Sequence, residues 1–166
     1  MNLLIVRHAI AEDREEFAQT GKDDSLRPLT DKGGKRMRRA AAGIKTCLPD
    51  VDVVATSPFA RAVQTAEIVA NVYGLTPIES HALVPGAEPQ EFADWLEERD
   101  QEETLVAVGH EPHLGSLVSW LLAGGNADFF GLKKGGACLL SWLPGERRAW
   151  LQWSLTPRHL RRIGSK

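Results

Sequence analysis

The stretch "LLIVRHA" (3–9) decides how the rest of the chain is read. Leu3, Leu4, Ile5 and Val6 are apolar on successive residues. Such a run is hydrophobic on both faces, the pattern of a strand inside a parallel sheet covered on two sides. It stops abruptly at Arg7-His8. A strand that ends on two potentially cationic side chains raises the question of what partners the remaining sequence offers them.

Working outward, "DVVATS" (52–57) and "TLVAVGH" (104–110) repeat the apolar strand pattern. "ACLLSW" (137–142) and "AWLQWSL" (149–155) flank "LPGERR", a turn between antiparallel strands. Helices fit between the strands. Thr30 is placed to N-cap a helix running to about Cys47 with its Arg/Lys face outward. Ser57-Pro58 reads as an N-cap followed by proline at the first helical position. Behind it Phe59, Ala62, Val63, Ala66, Val69 and Tyr73 recur at helical spacing, and Gly74 is placed to end the helix. Two more helices are expected over 89–100 and 112–125, the second closed by paired glycines. The expected architecture is a single domain over 1–166: a three-layer α/β/α sandwich with a mostly parallel central sheet and a C-terminal antiparallel hairpin. In such sheets ligands gather at the carboxyl ends of the parallel strands.

Composition narrows the classes of function. A formal net charge of −2 gives no general pull toward nucleic acid or a membrane surface. No apolar run approaches the ~20 residues of a membrane span, and Leu3–Val6 is too short for a secretory leader and is ended by Arg7. Cys47 and Cys138 form no CxxC pair and read as structural thiols of a reducing cytoplasm. Charge is uneven along the chain. "KGGKRMRR" (32–39) and the tail from Pro157 are basic, whereas "EERDQEE" (97–103) is acidic. Solvated helix faces and a frayed terminus account for these runs, although clustered cations also draw anionic partners.

The unusual residues fall at the strand ends. Arg7-His8 follows the first strand, Arg61 lies in the first turn of the helix after the second, and His110 closes the third. Arg27 sits in the loop "SLRPLT". Arginine offers a planar fork that matches phosphate oxygens and stays charged. A neutral imidazole is an available nucleophile near neutral pH, and a second, when protonated, stabilises the oxygens of a phosphoryl group in transfer. Helix N-termini behind Ser57 and Glu111 are expected to add backbone donors. No metal or cofactor is expected, since the cations are built in and "HEPH" (110–113) lacks a third ligand nearby.

"LLIVRHA", "RPLTDKG", "SPFARAVQTAE" and "VAVGHEPHL" stand in the order of the motifs of the histidine phosphatase (phosphoglycerate-mutase-like) superfamily. The short chain, "RPLT" and "SPFARAVQTA" resemble its SixA-like phosphohistidine phosphatase branch in particular. The resemblance implies that His8 is a nucleophile that becomes phosphohistidine and that Arg7 and Arg61 bind the phosphoryl oxygens. It implies that His110 completes the pocket and that Arg27 adds a phosphate contact. Ala9 departs from the Arg-His-Gly of most members, so its Cβ is expected to tighten the turn. Many members carry a carboxylic general acid in a loop corresponding to "ALVPGAEPQEF", where Glu88 is the first candidate and Glu91 the second. A place in the first turn of a helix opened by Pro89 is the competing reading of Glu88. The branch implies phosphohistidine on a phosphotransfer protein as substrate. A small-molecule or phosphoserine/threonine monoesterase and a non-catalytic phosphate-binding adaptor are the alternatives.

Overall fold

Alternation within the first strand sorts the core into two layers. In the computed structural model, which describes residues 1–125 and 127–165, β1 spans Asn2–Arg7. Leu3 and Ile5 point into one apolar cluster, Leu4 and Val6 into the other. Five further strands join it: β2 (Val53–Thr56), β3 (Ile78–Glu79), β4 (Thr104–Gly109), β5 (Ala137–Leu143) and β6 (Arg148–Leu155). Their order is β3-β2-β4-β1-β5-β6. The first four lie parallel, and the β5–β6 hairpin is antiparallel to β1. The mixed sheet and its hairpin are as the sequence pattern predicts.

Helices cover both faces. On one side α4 (Pro89–Glu97) and α5 (His113–Ala123) bury Phe92, Leu96, Leu114, Leu117 and Leu121 against Leu3, Ile5 and Leu105. On the other, α2 (Asp31–Cys47), α3 (Ala60–Asn71) and α6 (Pro157–Ile163) bury Met37, Ile44, Val69 and Leu160 against Leu4, Val6 and Val106. A short α1 (Arg14–Ala18) lies in the loop between β1 and α2.

Thr30 caps α2 as expected, its Oγ1 accepting from the Gly33 N–H at 2.9 Å. Ser57-Pro58 does not open α3 as expected; the helix begins at Ala60 with Phe59 as N-cap. The Ser57 hydroxyl instead lies 2.9 Å from the His110 ring and accepts from the Phe59 N–H at 3.4 Å. Likewise α5 begins at His113, with Pro112 as N-cap. Among the α-helices and strands of the described residues, three escape sequence reading. α1 is a single turn, β3 is two exposed residues paired only with β2, and α6 buries Leu160 alone within a basic stretch that resembles a frayed tail.

Candidate active site

Strand register brings the residues together. Arg7 pairs with Gly109 across the parallel β1–β4 ladder, so His8 and His110 leave the sheet side by side. Their ring centroids are 5.1 Å apart. The same recess, of about 750 Å³, is lined by Arg7, His8, Arg27, Arg61, Phe59 and His110. His8, Arg61 and His110 are no more than 6% exposed.

The backbone around His8 is fixed on every side. Its N–H donates to the Gly109 carbonyl at 2.9 Å, and the Gly135 N–H reaches the carbonyls of Arg7 and His8. The Ala9 N–H donates to Thr65 Oγ1 at 3.0 Å, and that hydroxyl donates to the Arg61 carbonyl at 2.7 Å. Thr65 thus ties the His8 turn to the helix that carries Arg61. The Ala9 Cβ is absorbed into the core beside Val6 and Met37. From the α2 side, Gly33 lies so close that a Cβ there would overlap the Ile10 carbonyl oxygen.

The tautomer of His8 follows from its partner. Nδ1 lies 2.7 Å from the Ala9 carbonyl oxygen, which can only accept. Nδ1 therefore carries the proton, and Nε2 keeps its lone pair. Burial, helped by the charges of Arg61, Arg7 and Lys134, pushes the His8 pKa down to about 4. His110 falls further, to about 2, through burial and then the neighbouring His8 and Arg61. Its Nε2 lies 2.9 Å from Ser57 Oγ. In the site without an anion both imidazoles are neutral at pH 7, so the protonated His110 expected from sequence requires the charge of a bound anion.

The arginines are aimed by groups that sequence reading missed. Arg61 donates through Nη1 to the Asp24 carbonyl and through Nη2 to Asp24 Oδ2. Arg27 donates through Nε to Asp24 Oδ1 and through Nη1 to the Glu12 carbonyl, both at 2.8 Å. Asp24 therefore bridges two guanidiniums, which hold its carboxyl below the usual range. Arg7 donates through Nη1 to the Leu132 carbonyl at 2.7 Å. The Leu132 N–H is itself held by Glu111 Oε1, while Oε2 accepts from Gly115. The Nε atoms of Arg7 and Arg61 are buried without a hydrogen-bond partner among the described residues. A buried donor left unpaired is costly, and both arginines that carry these donors line the recess.

Only one signal for these supports was present in the sequence: Asp24 stands three residues before Arg27 in a loop already singled out. Thr65 looked like any helical threonine, and Glu111 like a helix-start carboxylate.

Glu88 does not join the site. It is exposed at the N-cap of α4 and lines a separate recess with Trp120 and Ser116. Glu91 is exposed as well, and its Oε1 accepts from the Glu88 N–H at 3.2 Å. Both lie at the start of α4 and neither lines the His8 recess, so the structure does not bring the expected general acid to the site. The expected helix-terminal donors also shift, because α3 and α5 begin beyond Ser57 and Glu111 and Pro112 has no N–H. Among the described residues no three His, Cys, Asp or Glu side chains gather as a metal-binding group.

Imidazoles flanked by guanidiniums at the carboxyl ends of parallel strands define a protein built to handle phosphoryl groups. The sequence profile of the histidine phosphatase superfamily (branch 1) matches residues 3–84. A protein of Picosynechococcus sp. is 37% identical over 139 residues, covering 82% of each chain. The phosphohistidine phosphatase SixA of Escherichia coli is 30% identical over 135 residues, 78% of this chain and 80% of that one. The structure of the protein histidine phosphatase SixA complexed with tungstate superposes with a TM-score of 0.81 at 25% identity, covering 96% of this chain and 99% of that one. The chain belongs to the histidine phosphatase superfamily, in its SixA-like branch. It is a hydrolase of that superfamily.

Proposed function

We propose that the protein removes phosphoryl groups from phosphohistidine on a phosphotransfer protein, without a metal, through a phosphohistidine formed on His8. The observation that carries this reading is the Nδ1–H of His8 held by the Ala9 carbonyl, which reserves Nε2 for phosphorus. In the first step the Nε2 lone pair forms an N–P bond as the bond to the substrate imidazole breaks. The substrate ring, protonated on its other nitrogen, takes the electron pair and leaves as neutral imidazole. Arg7 and Arg61 hold the phosphoryl oxygens, and the anion's charge favours a proton on His110. In the second step water attacks phosphorus, the N–P bond breaks, its electron pair returns to Nε2, and the water proton leaves with inorganic phosphate or to solvent.

Position removes Glu88 as the acid for an oxygen leaving group, while Glu12, Asp13, Asp23, Asp24 and Glu111 line the recess itself. An alkoxide needs a proton from a general acid, and the carboxylate expected to supply it lies outside the recess. The test is rapid quenching during turnover of radiolabelled phosphohistidine substrates. Label should stay on the enzyme in base, be lost in acid, and be absent from His8→Ala. Acid-stable label, or label persisting in His8→Ala, would rule the reading out. Turnover should be unchanged by EDTA and inhibited by vanadate or tungstate.

A further inference from the structure

Beside the His8 recess lies a second concavity of about 370 Å³, walled by α2, α6 and the segment before β5. Its floor is apolar, with Ala9, Met37, Ala40 and Pro157. Its rim is cationic, with Arg36, Lys133, Lys134, Arg158 and Arg161. No carboxylate lines it. Among the described residues none of these lysines and arginines forms an ion pair.

The packing holds these charges together. At Gly43 the backbones of α2 and α6 meet so closely that a Cβ would overlap the Leu160 carbonyl oxygen. The arginines on the two helices are therefore close neighbours, and Arg36, Arg39 and Arg158 all act on Arg161 through their charge. In a chain of net charge −2, this is a local excess of one sign. Like charges repel at a modest cost that an anionic partner reverses.

Position gives the excess a use. Ala9 and Ile10, which directly follow His8, line this concavity, and Lys134 lines both recesses. A small anion needs two or three donors. Cations spread over three elements around an apolar floor instead match a surface that presents several carboxylates and an apolar contact. Most of the rim, including Arg36, Lys133, Lys134 and Arg158, is exposed and reachable by such a surface.

Resting on the proposed function, we infer that this concavity docks an acidic face of the phosphorylated protein while its phosphohistidine enters the His8 recess. The test compares the whole chain with its R36E/R158E variant on two substrates. One is a histidine phosphotransfer domain with an acidic surface, phosphorylated chemically with phosphoramidate; the other is free phosphohistidine. The variant's KM for the phosphoprotein should rise about tenfold or more. Its kcat and its kinetics on free phosphohistidine should stay unchanged, which also controls for folding. Unchanged phosphoprotein kinetics, or an equal loss on both substrates, would overturn docking. So would a wild type that favours the phosphoprotein no more than free phosphohistidine, although the proposed function would then stand. Hydrolysis of neither substrate would sink the function and docking together.

Discussion

Asp24 holds Arg27 and Arg61 through one carboxylate and one carbonyl. Its loss should leave Arg27 and Arg61 charged but misaimed, and misplacement by about 1 Å costs on the order of 10²-fold in rate. Asp24→Ala should therefore lower kcat/KM on phosphohistidine by roughly that factor, with the fold retained by circular dichroism. Wild-type rates in this variant would show that the arginines orient themselves. Glu88→Gln should leave phosphohistidine and aryl phosphate hydrolysis within about twofold of wild type, against the ~10²–10⁴-fold expected for a lost general acid. His8 offers a direct measurement. Its ring resonances should titrate near pH 4, and Arg61→Ala, by removing a neighbouring positive charge, should move that midpoint upward. A midpoint near 6.5 would mean that burial does not act on this ring. At this scale the sequence displayed the arginines and histidines plainly, because Arg and His at strand ends are conspicuous, but not the roles of Asp24 and Glu111. It hid Thr65, Ser57 and Leu132, since a hydroxyl or a carbonyl gains its role only from a contact remote in the chain.

Between elements, contact geometry separates two adjacent glycines. Gly33 sits where α2 meets the Ile10 carbonyl, while a Cβ on Gly34 would meet only the tip of Arg38 at 3.7 Å. Gly33→Ala should destabilise by about 1–3 kcal/mol as the His8 turn is pushed away. Gly34→Ala should stabilise by about 0.5–1 kcal/mol by restricting the unfolded chain and favouring helix. Urea unfolding of the two variants would distinguish them, and equal effects would contradict the contact. Strands β1, β2 and β4 were legible because both their faces are buried and so carry an unbroken apolar signature. β3 was not, because pairing alone holds its two exposed residues. α6 was not, because its seating on α2 depends on Gly43, seen in sequence only as one more helical glycine.

For the molecule as a whole, the buried histidines link stability to pH. His8, His110 and His113 all have pKa values below that of an exposed ring, His8 at about 4 and His110 at about 2. Each therefore binds protons more readily unfolded than folded, so stability rises with pH across this range. The contribution is complete above about pH 6.5 and is lost as pH falls, down to about 4 for His8 and about 2 for His110. Calorimetry at constant ionic strength should show Tm falling from pH 7 to 5, ahead of the range where Asp24 and other carboxylates protonate. A flat Tm over that interval would contradict the burial of these rings. The shared register of β1 and β4 carries a separate consequence. Adjacent strands lie about 4.8 Å apart, and the His8 and His110 rings, one step past the Arg7–Gly109 pair, are 5.1 Å apart. The gap between the rings thus follows the strand spacing, with the Ala9 carbonyl and the Ser57 hydroxyl fixing how each ring is turned. Selection or engineering can redraw the rim of either recess residue by residue and leave that spacing untouched.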